Sequence, residues 1–167
     1  MHTIRPATHQ DASLIAAQRV TMFQDNDLAP TGTWAELEEA SARWLEKTLG
    51  DGSYIGWIVE EHDGLVSSST PRVLGGAGLW LMDWPPHYLH LESRRGYLLN
   101  FYVVPEARRS GIAAQLVRLA VAECGKRGIR VATLHASAMG RPVYERLGWA
   151  NSNEMKFDVE LGGGSTR

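Results

Sequence analysis

Residues 97–113, Tyr-Leu-Leu-Asn-Phe-Tyr-Val-Val-Pro-Glu-Ala-Arg-Arg-Ser-Gly-Ile-Ala, constrain this chain more than any other stretch. The apolar run ending at Val104 reads as a buried strand, and Pro105 marks its exit. Arg108, Arg109 and Ser110 make a short basic turn, and Gly111 opens an amphipathic helix. The first N–H groups of a helix have no intrahelical partner, and the peptide dipoles sum to roughly half a positive charge at that end. Gly111 clears a side chain from the approach, Ala113 adds little bulk, and the two arginines add charge. Such a turn suits a diphosphate. The pattern Arg108-x-x-Gly111-x-Ala113 also occurs in ordinary strand-to-helix connections, so its weight comes from its place between a strand and a helix.

A second block follows at residues 137–149, Ser-Ala-Met-Gly-Arg-Pro-Val-Tyr-Glu-Arg-Leu-Gly-Trp. With both blocks in this order, the chain resembles the GNAT superfamily of acyl-CoA-dependent N-acetyltransferases. That family carries Arg/Gln-x-x-Gly-x-Gly/Ala after a strand ending in Val-x-Pro, here Val103-Val104-Pro105 and then Arg108 to Ala113. The second block is similar to the family's Asn-x-x-Ala-x-x-x-Tyr-x-x-x-Gly-Phe, with Ser137 for Asn, Gly140 for Ala and Trp149 for Phe. Residues 3–7 resemble a family first strand, and the likeness is densest over residues 97–149.

The resemblance implies an α/β (α+β) fold: a single GNAT-like domain over residues 1–161 with a central mixed, mostly antiparallel sheet, a splayed parallel strand pair and helices on both faces. It implies acetyl-CoA as cosubstrate. Its diphosphate would meet Arg108, Arg109, Ser110, Gly111, Ile112 and Ala113. A bulge in the strand would open a gap for pantetheine, with backbone groups of Phe101, Tyr102 and Val103 binding it and the thioester. Ser137 stands where the family often uses Asn to contact pantetheine. Tyr144 matches the tyrosine that donates to the leaving thiolate. The reaction implied is transfer of the acetyl group to a primary amine of a small molecule, by direct attack in a ternary complex. A peptide or protein amine is the alternative acceptor, and a non-catalytic CoA-binding sensor the alternative from another class.

Composition narrows the partners. The chain has 167 residues, 44% hydrophobic and 22% charged, with a formal net charge of −2. That length suits one domain with one sizeable core, and the charge gives no polybasic signal for nucleic acid or membrane surfaces. Cys124 is the single cysteine, so neither an intrachain disulfide nor a cysteine metal cluster can form. Without a leader pattern or a long apolar run, a cytoplasmic setting is expected. Residues 162–167, Gly-Gly-Gly-Ser-Thr-Arg, read as a flexible tail. Sheet edges and an aromatic loop leave a homodimer open.

Along the chain, residues 3–6 predict a first strand, and residues 11–23 a helix capped by Asp11 or Ser13. Asp25-Asn26-Asp27 breaks the pattern as a solvated loop, and Thr33 opens a second helix bearing Trp34, Leu37, Ala40, Trp44 and Leu45. The resemblance makes this helix pair one wall of the acceptor site. Residues 54–61 alternate as a strand, residues 62–64 turn, and a further strand falls within 72–82. Residues 80–90, aromatic and interrupted by Pro85-Pro86, are too proline-rich for sheet interior. A packed loop, an acceptor wall and an oligomer interface are its three readings. A metal held by His87 and His90 lacks a defined ligand set, and none is expected. A helix from Gly111 to about Arg127, a strand at 131–135, a helix capped by Ser137 and a closing strand at 154–161 complete the chain. The strand-helix-strand passage implies a parallel pair.

Asn100 is the polar residue of the buried strand. A buried amide must find partners, since leaving it unsatisfied costs about 1–3 kcal/mol. It either bonds neighbouring backbone or, at the implied bulge, orients the acceptor. Amine deprotonation is a large demand on such a reaction: holding an amine of pKa about 10.4 neutral at pH 7 costs about 4.6 kcal/mol. Asp83, His87, His90, Glu92 and Glu154 are candidate bases, and none stands out. The oxyanion contact is expected from backbone N–H near Val103.

Overall fold

The computed structural model describes residues 1–62, 71–88 and 90–156. In chain order these form β1 (His2–Pro6), α1 (Ala12–Gln24), α2 (Trp34–Asp51), β2 (Tyr54–Glu61), β3 (Arg72–Asp83), β4 (Arg94–Val103), α3 (Ile112–Lys126), β5 (Ala132–Leu134) and α4 (Arg141–Arg146). The strands make one sheet in sequential order, antiparallel from β1 to β4, with β5 joining β4 in parallel. The expected α/β (α+β) architecture, with a mixed sheet and helices on both faces, is the one observed.

Period-two alternation divides the sheet into two faces. On one, Trp57, Val59, Leu79, Leu81 and Leu98 pack with Ile112, Leu116, Val117, Ala120 and Cys124 from α3. On the other, Tyr54 and Ile58 pack with Ala12, Ile15 and Ala16 from α1 and Leu45 from α2. Helix α2 starts on a capping box: Thr33 Oγ1 accepts from the Glu36 N–H at 3.2 Å, and the Glu36 carboxylate accepts from the Thr33 N–H at 2.8 Å. The cap expected for α1 is not made. Asp11 precedes the helix, but its carboxylate accepts from Arg5 at 2.8 and 2.9 Å and from the Thr8 N–H at 2.8 Å, because a charged two-pronged guanidinium offers it more than a helix end does. Arg5 also donates to Glu60 at 2.8 Å, which ties β1, β2 and the turn before α1 together.

Two expectations need correction. Strand β3 continues through Trp80, Leu81, Met82 and Asp83, paired with Tyr97, Gly96, Arg95 and Arg94, so the first part of residues 80–90 is sheet. Its pairing donors are satisfied before Pro85 is reached. The closing strand expected at 154–161 is not formed at Glu154, Met155 and Lys156, and 157–161 lie outside the described residues. Residues 63–64 of the expected turn and the 162–167 tail lie outside them too.

Two irregularities place the site. Gly78 pairs with Leu99 and Gly76 with Tyr102, so Asn100 and Phe101 together oppose Ala77. This is a β-bulge, and Asn100 sits in it at φ +57°, a left-handed conformation that Asn tolerates better than most residues. Strands β4 and β5 pair only from Gly96–Ala132 to Leu98–Leu134. Beyond that point β4 runs on to Val103 with no strand beside it on that edge among the described residues, a gap of the kind the resemblance implied.

Candidate active site

The bulged strand β4 borders a cavity of about 430 Å³. Tyr97, Leu99 and Asn100 line it from β4, Trp80 from β3, Arg19 from α1, and Ala40, Ser41, Trp44 and Leu45 from α2. Trp44 meets Tyr54 and Trp80 edge-on, with ring centres 5.7 and 5.5 Å apart, and Trp80 meets Tyr97 at 6.5 Å. Such edge-to-face packing fixes ring orientation. The helix pair therefore forms one wall of this cavity.

Asn100 is 4% exposed and satisfied from two distant elements rather than from neighbouring backbone. Its Oδ1 accepts from Arg19 Nη1 at 2.6 Å, and its Nδ2 donates to the Tyr54 hydroxyl at 3.0 Å. Tyr54 is buried, and desolvation pushes its phenol pKa up, so it remains a neutral hydroxyl. Its ring lies across Gly78, where an added Cβ would overlap the hydroxyl end. Gly78 is thus the space that lets Tyr54 reach the bulge.

Residue 135 supplies a feature the sequence reading missed. The Tyr97 hydroxyl meets His135 Nδ1, with His135 just past the end of β5. Burial raises the Tyr97 pKa. The phenol thus keeps its proton, and the pair places an imidazole behind a hydroxyl of the cavity wall.

Past the bulge, Phe101 packs against Tyr144 of α4 with ring centres 6.3 Å apart, and Tyr144 packs against Trp149 at 5.9 Å. Desolvation pushes the Tyr144 pKa up to about 12. The Tyr144 hydroxyl has no hydrogen-bond partner among the described residues. Ser137 Oγ accepts from the Gly140 N–H at 3.1 Å and closes the turn before α4, but Gly140 is the N-cap residue and no side chain caps that helix, so Ser137 is not the cap expected. Pro142 is tolerated in the first turn of α4.

At the basic turn, Gly111 precedes α3 at φ +89°, and a Cβ there would meet nothing within 4 Å. The approach to the first N–H groups of α3 is therefore open. Ile112 is buried with its side chain in the core, and Ala113 is half-buried, so their share in an anion site is limited to backbone groups. Arg109 is exposed at φ +63°, and the Ser110 hydroxyl donates to Ala107 O at 2.5 Å. Arg108 departs from the expected arrangement. Its Nε donates to Val103 O at 2.9 Å and its Nη2 pairs with Asp25, so this guanidinium braces the strand exit instead of standing free over the helix. Asp25, read from sequence as solvated, is the α1 end of that brace.

The candidate bases are scattered. Glu154 pairs with Arg95 at 2.5 Å, Glu92 meets Arg130 at 3.5 Å, and the His87 and His90 rings stack 5.4 Å apart. Neither these residues nor Asp83 line the cavity. Of the described residues in 80–90, Trp80 is the one that lines it, whereas His87 and Tyr88 are exposed. Arg19, Tyr54, Tyr97 and His135 carried no motif; helix periodicity left Arg19 as one polar residue among several.

A strand bulge, a parallel pair that parts beyond it, and an open helix N-terminus next to the parting define a class that the comparisons identify. The sequence pattern of the acetyltransferase (GNAT) family matches residues 20–149, and the chain belongs to that family. It shares 39% identity and a TM-score of 0.83 with a GCN5-related N-acetyltransferase from Ralstonia eutropha, over 95% of this chain and 99% of that one. A predicted acetyltransferase from Clostridium acetobutylicum, solved with acetyl-CoA, is 28% identical at a TM-score of 0.84, covering 96% and 97%. Glucosamine-6-phosphate N-acetyltransferase from Arabidopsis thaliana shares the fold, at 14% identity and a TM-score of 0.66, covering 97% and 99%. No curated protein matches in sequence. The reaction is acetyl-CoA-dependent acetyl transfer. The residues here fit that cosubstrate: Gly111 leaves the α3 N-terminus clear, the gap beyond Leu98 exposes β4, and the Tyr144 hydroxyl is unengaged. Among the described residues, no helix is long and apolar enough to cross a membrane.

Proposed function

We propose that this protein is an N-acetyltransferase acting on a primary amine of a small molecule, by direct attack while both substrates are bound. The observation that carries the reading is the aromatic cavity of about 430 Å³ that ends at Asn100 in the bulge. Its volume falls within the range of small-ligand pockets, roughly 300–1,000 Å³. Acetyl-CoA supplies an activated acyl carbon. The amine nitrogen bonds to that carbon, the carbon–sulfur bond breaks, the amine gives up a proton and the sulfur gains one.

The chain's own groups divide these tasks. Tyr97 and His135 take the amine proton: the phenol oxygen accepts it as its own proton passes to Nδ1, and an imidazole is suited to that role near neutral pH. Asn100, held by Arg19 and Tyr54, keeps the bulge open and orients the acceptor. Backbone N–H groups near Val103 are preorganised donors for the developing oxyanion. Tyr144 donates to the sulfur. With a pKa of about 12 against about 8.5 for a free thiol, complete transfer of its proton would cost about 5 kcal/mol, so its role is a strong hydrogen bond that matures into transfer as the pair equilibrates with solvent. Gly111, Ile112 and Ala113 offer backbone N–H groups, and Arg109 a charge, to the diphosphate, while Ser137 keeps the second block in register.

The test is thiol release from acetyl-CoA with a panel of small primary amines set against short peptides with free N-termini and lysines. Turnover confined to small amines is expected. Equal or better turnover of the peptides would overturn the small-molecule assignment, and tight CoA binding without turnover of any amine would favour the sensor.

A further inference from the structure

Among the described residues, the cavity wall carries one cation, Arg19, and no carboxylate. Its Nη1 is engaged by Asn100 Oδ1 at 2.6 Å, and its guanidinium carbon lies 4.7 Å from the centre of the Phe23 ring. Among the described residues no Asp or Glu pairs with it. Other shielded arginines differ: Arg5 faces Asp11 and Glu60, Arg95 faces Glu154, and Arg108 faces Asp25. Burial lowers the Arg19 pKa, the signature of a cation short of solvation. A guanidinium cannot relieve that by losing its proton near neutral pH, and an amide oxygen does not neutralise it. What relieves it is an anion within the cavity.

We propose that the acceptor is an amine that also bears a carboxylate, an amino-acid-like compound with an apolar or aromatic body, and that its carboxylate pairs with Arg19. The assignment rests on the small-molecule reading above. One guanidinium balances one carboxylate, whereas a phosphate carrying about −1.5 to −2 would leave excess charge among Trp44, Trp80 and Leu99. With no acid on the wall, polyamines and other polycations find nothing to neutralise their further ammonium groups. The aromatic walls suit the body, and Tyr97 stands where the amine must lose its proton.

Calorimetry with 3-phenylpropionate, 3-phenylpropanamide and 2-phenylethylphosphonate tests this without turnover. The carboxylate is expected to bind wild type at least about tenfold tighter than the amide, and Arg19→Gln to erase that preference. Arg19→Lys keeps the charge but loses the fork, and should retain part of the preference, which settles the matter even if Arg19→Gln fails to fold. Equal binding of acid and amide, no binding of the acid, or a preference unchanged in the variants overturns the proposal. Tighter phosphonate binding overturns it in favour of a phosphate-bearing acceptor. Acetylation assays separate the two readings. Phenylalanine should exceed phenylalaninamide and phenethylamine in kcat/KM; equal rates for all three sink the carboxylate while keeping the N-acetyltransferase. Carboxylate binding with no amine acetylated does the reverse.

Discussion

At Tyr144 the environment decides what a phenol can do. Its ring packs against Phe101 and Trp149, burial pushes its pKa up, and its hydroxyl lacks a protein partner among the described residues. Replacing it with Phe keeps the ring packing and removes one donor. Tyr144→Phe is therefore expected to lower kcat at least about tenfold while calorimetry shows little change in acetyl-CoA affinity. Unchanged turnover would remove the residue from the chemistry. The sequence could single out Tyr144 because a local motif surrounds it. Asn100 was also legible, as an amide in an apolar strand, but its partners were not. Arg19 and Tyr54 lie 81 and 46 positions away in the chain, and no local pattern encodes which remote side chain will reach a bulge. His135 was missed for the same reason, since its meaning comes from Tyr97 on the neighbouring strand.

Elements carry two further predictions. The strand-turn-helix at β4 and α3 leaves space around Gly111, so Gly111→Asp meets no steric clash and costs mainly backbone strain, of order 1–3 kcal/mol. The carboxylate would instead occupy the α3 N-terminus. Calorimetry should show acetyl-CoA affinity falling at least about tenfold while circular dichroism shows the fold retained. The second concerns β1, the turn before α1 and β2, joined through Arg5, Asp11 and Glu60. Hydrogen bonding from Arg5 holds the Asp11 pKa down at about 2. A depressed carboxylate pKa stabilises the fold above its unfolded value near 3.9, and that contribution is lost as pH falls toward 2. Urea midpoints should thus decline between about pH 4 and 2 more steeply in wild type than in Asp11→Asn. Helices α1, α2 and α3 were readable because apolar periodicity ran over several turns and Thr33 supplied a cap. The strand expected within 72–82 ends one residue short of β3, but Pro85-Pro86 coloured the reading of residues 80–90 as a whole, although prolines restrict only the residues next to them.

For the whole molecule, the fold class was legible because two motifs fix a parallel crossover, whereas strand order and the cavity depend on packing of α1 and α2 over the sheet. If acetyl-CoA binds along the gap between β4 and β5, it binds the folded chain and not the unfolded one. At about one hundred times its Kd it should stabilise the fold by about 2.7 kcal/mol, which for a chain of this size raises Tm by about 5–10 °C. Scanning calorimetry checks this, and an unchanged Tm at saturating coenzyme would contradict it. The bulge in β4 has a consequence for how such a protein diversifies. In the proposed mechanism the reacting groups lie on and beyond β4, at the bulge and at Tyr97, His135 and Tyr144, while the facing cavity wall is made of exchangeable side chains, chiefly Ser41 and Trp44 of α2 and Trp80 of β3. Mutational drift on those walls can retune which acceptor is chosen without rewriting the catalytic register, so a laboratory lineage evolved toward new amines should accumulate its changes on α1, α2 and β3 and spare β4.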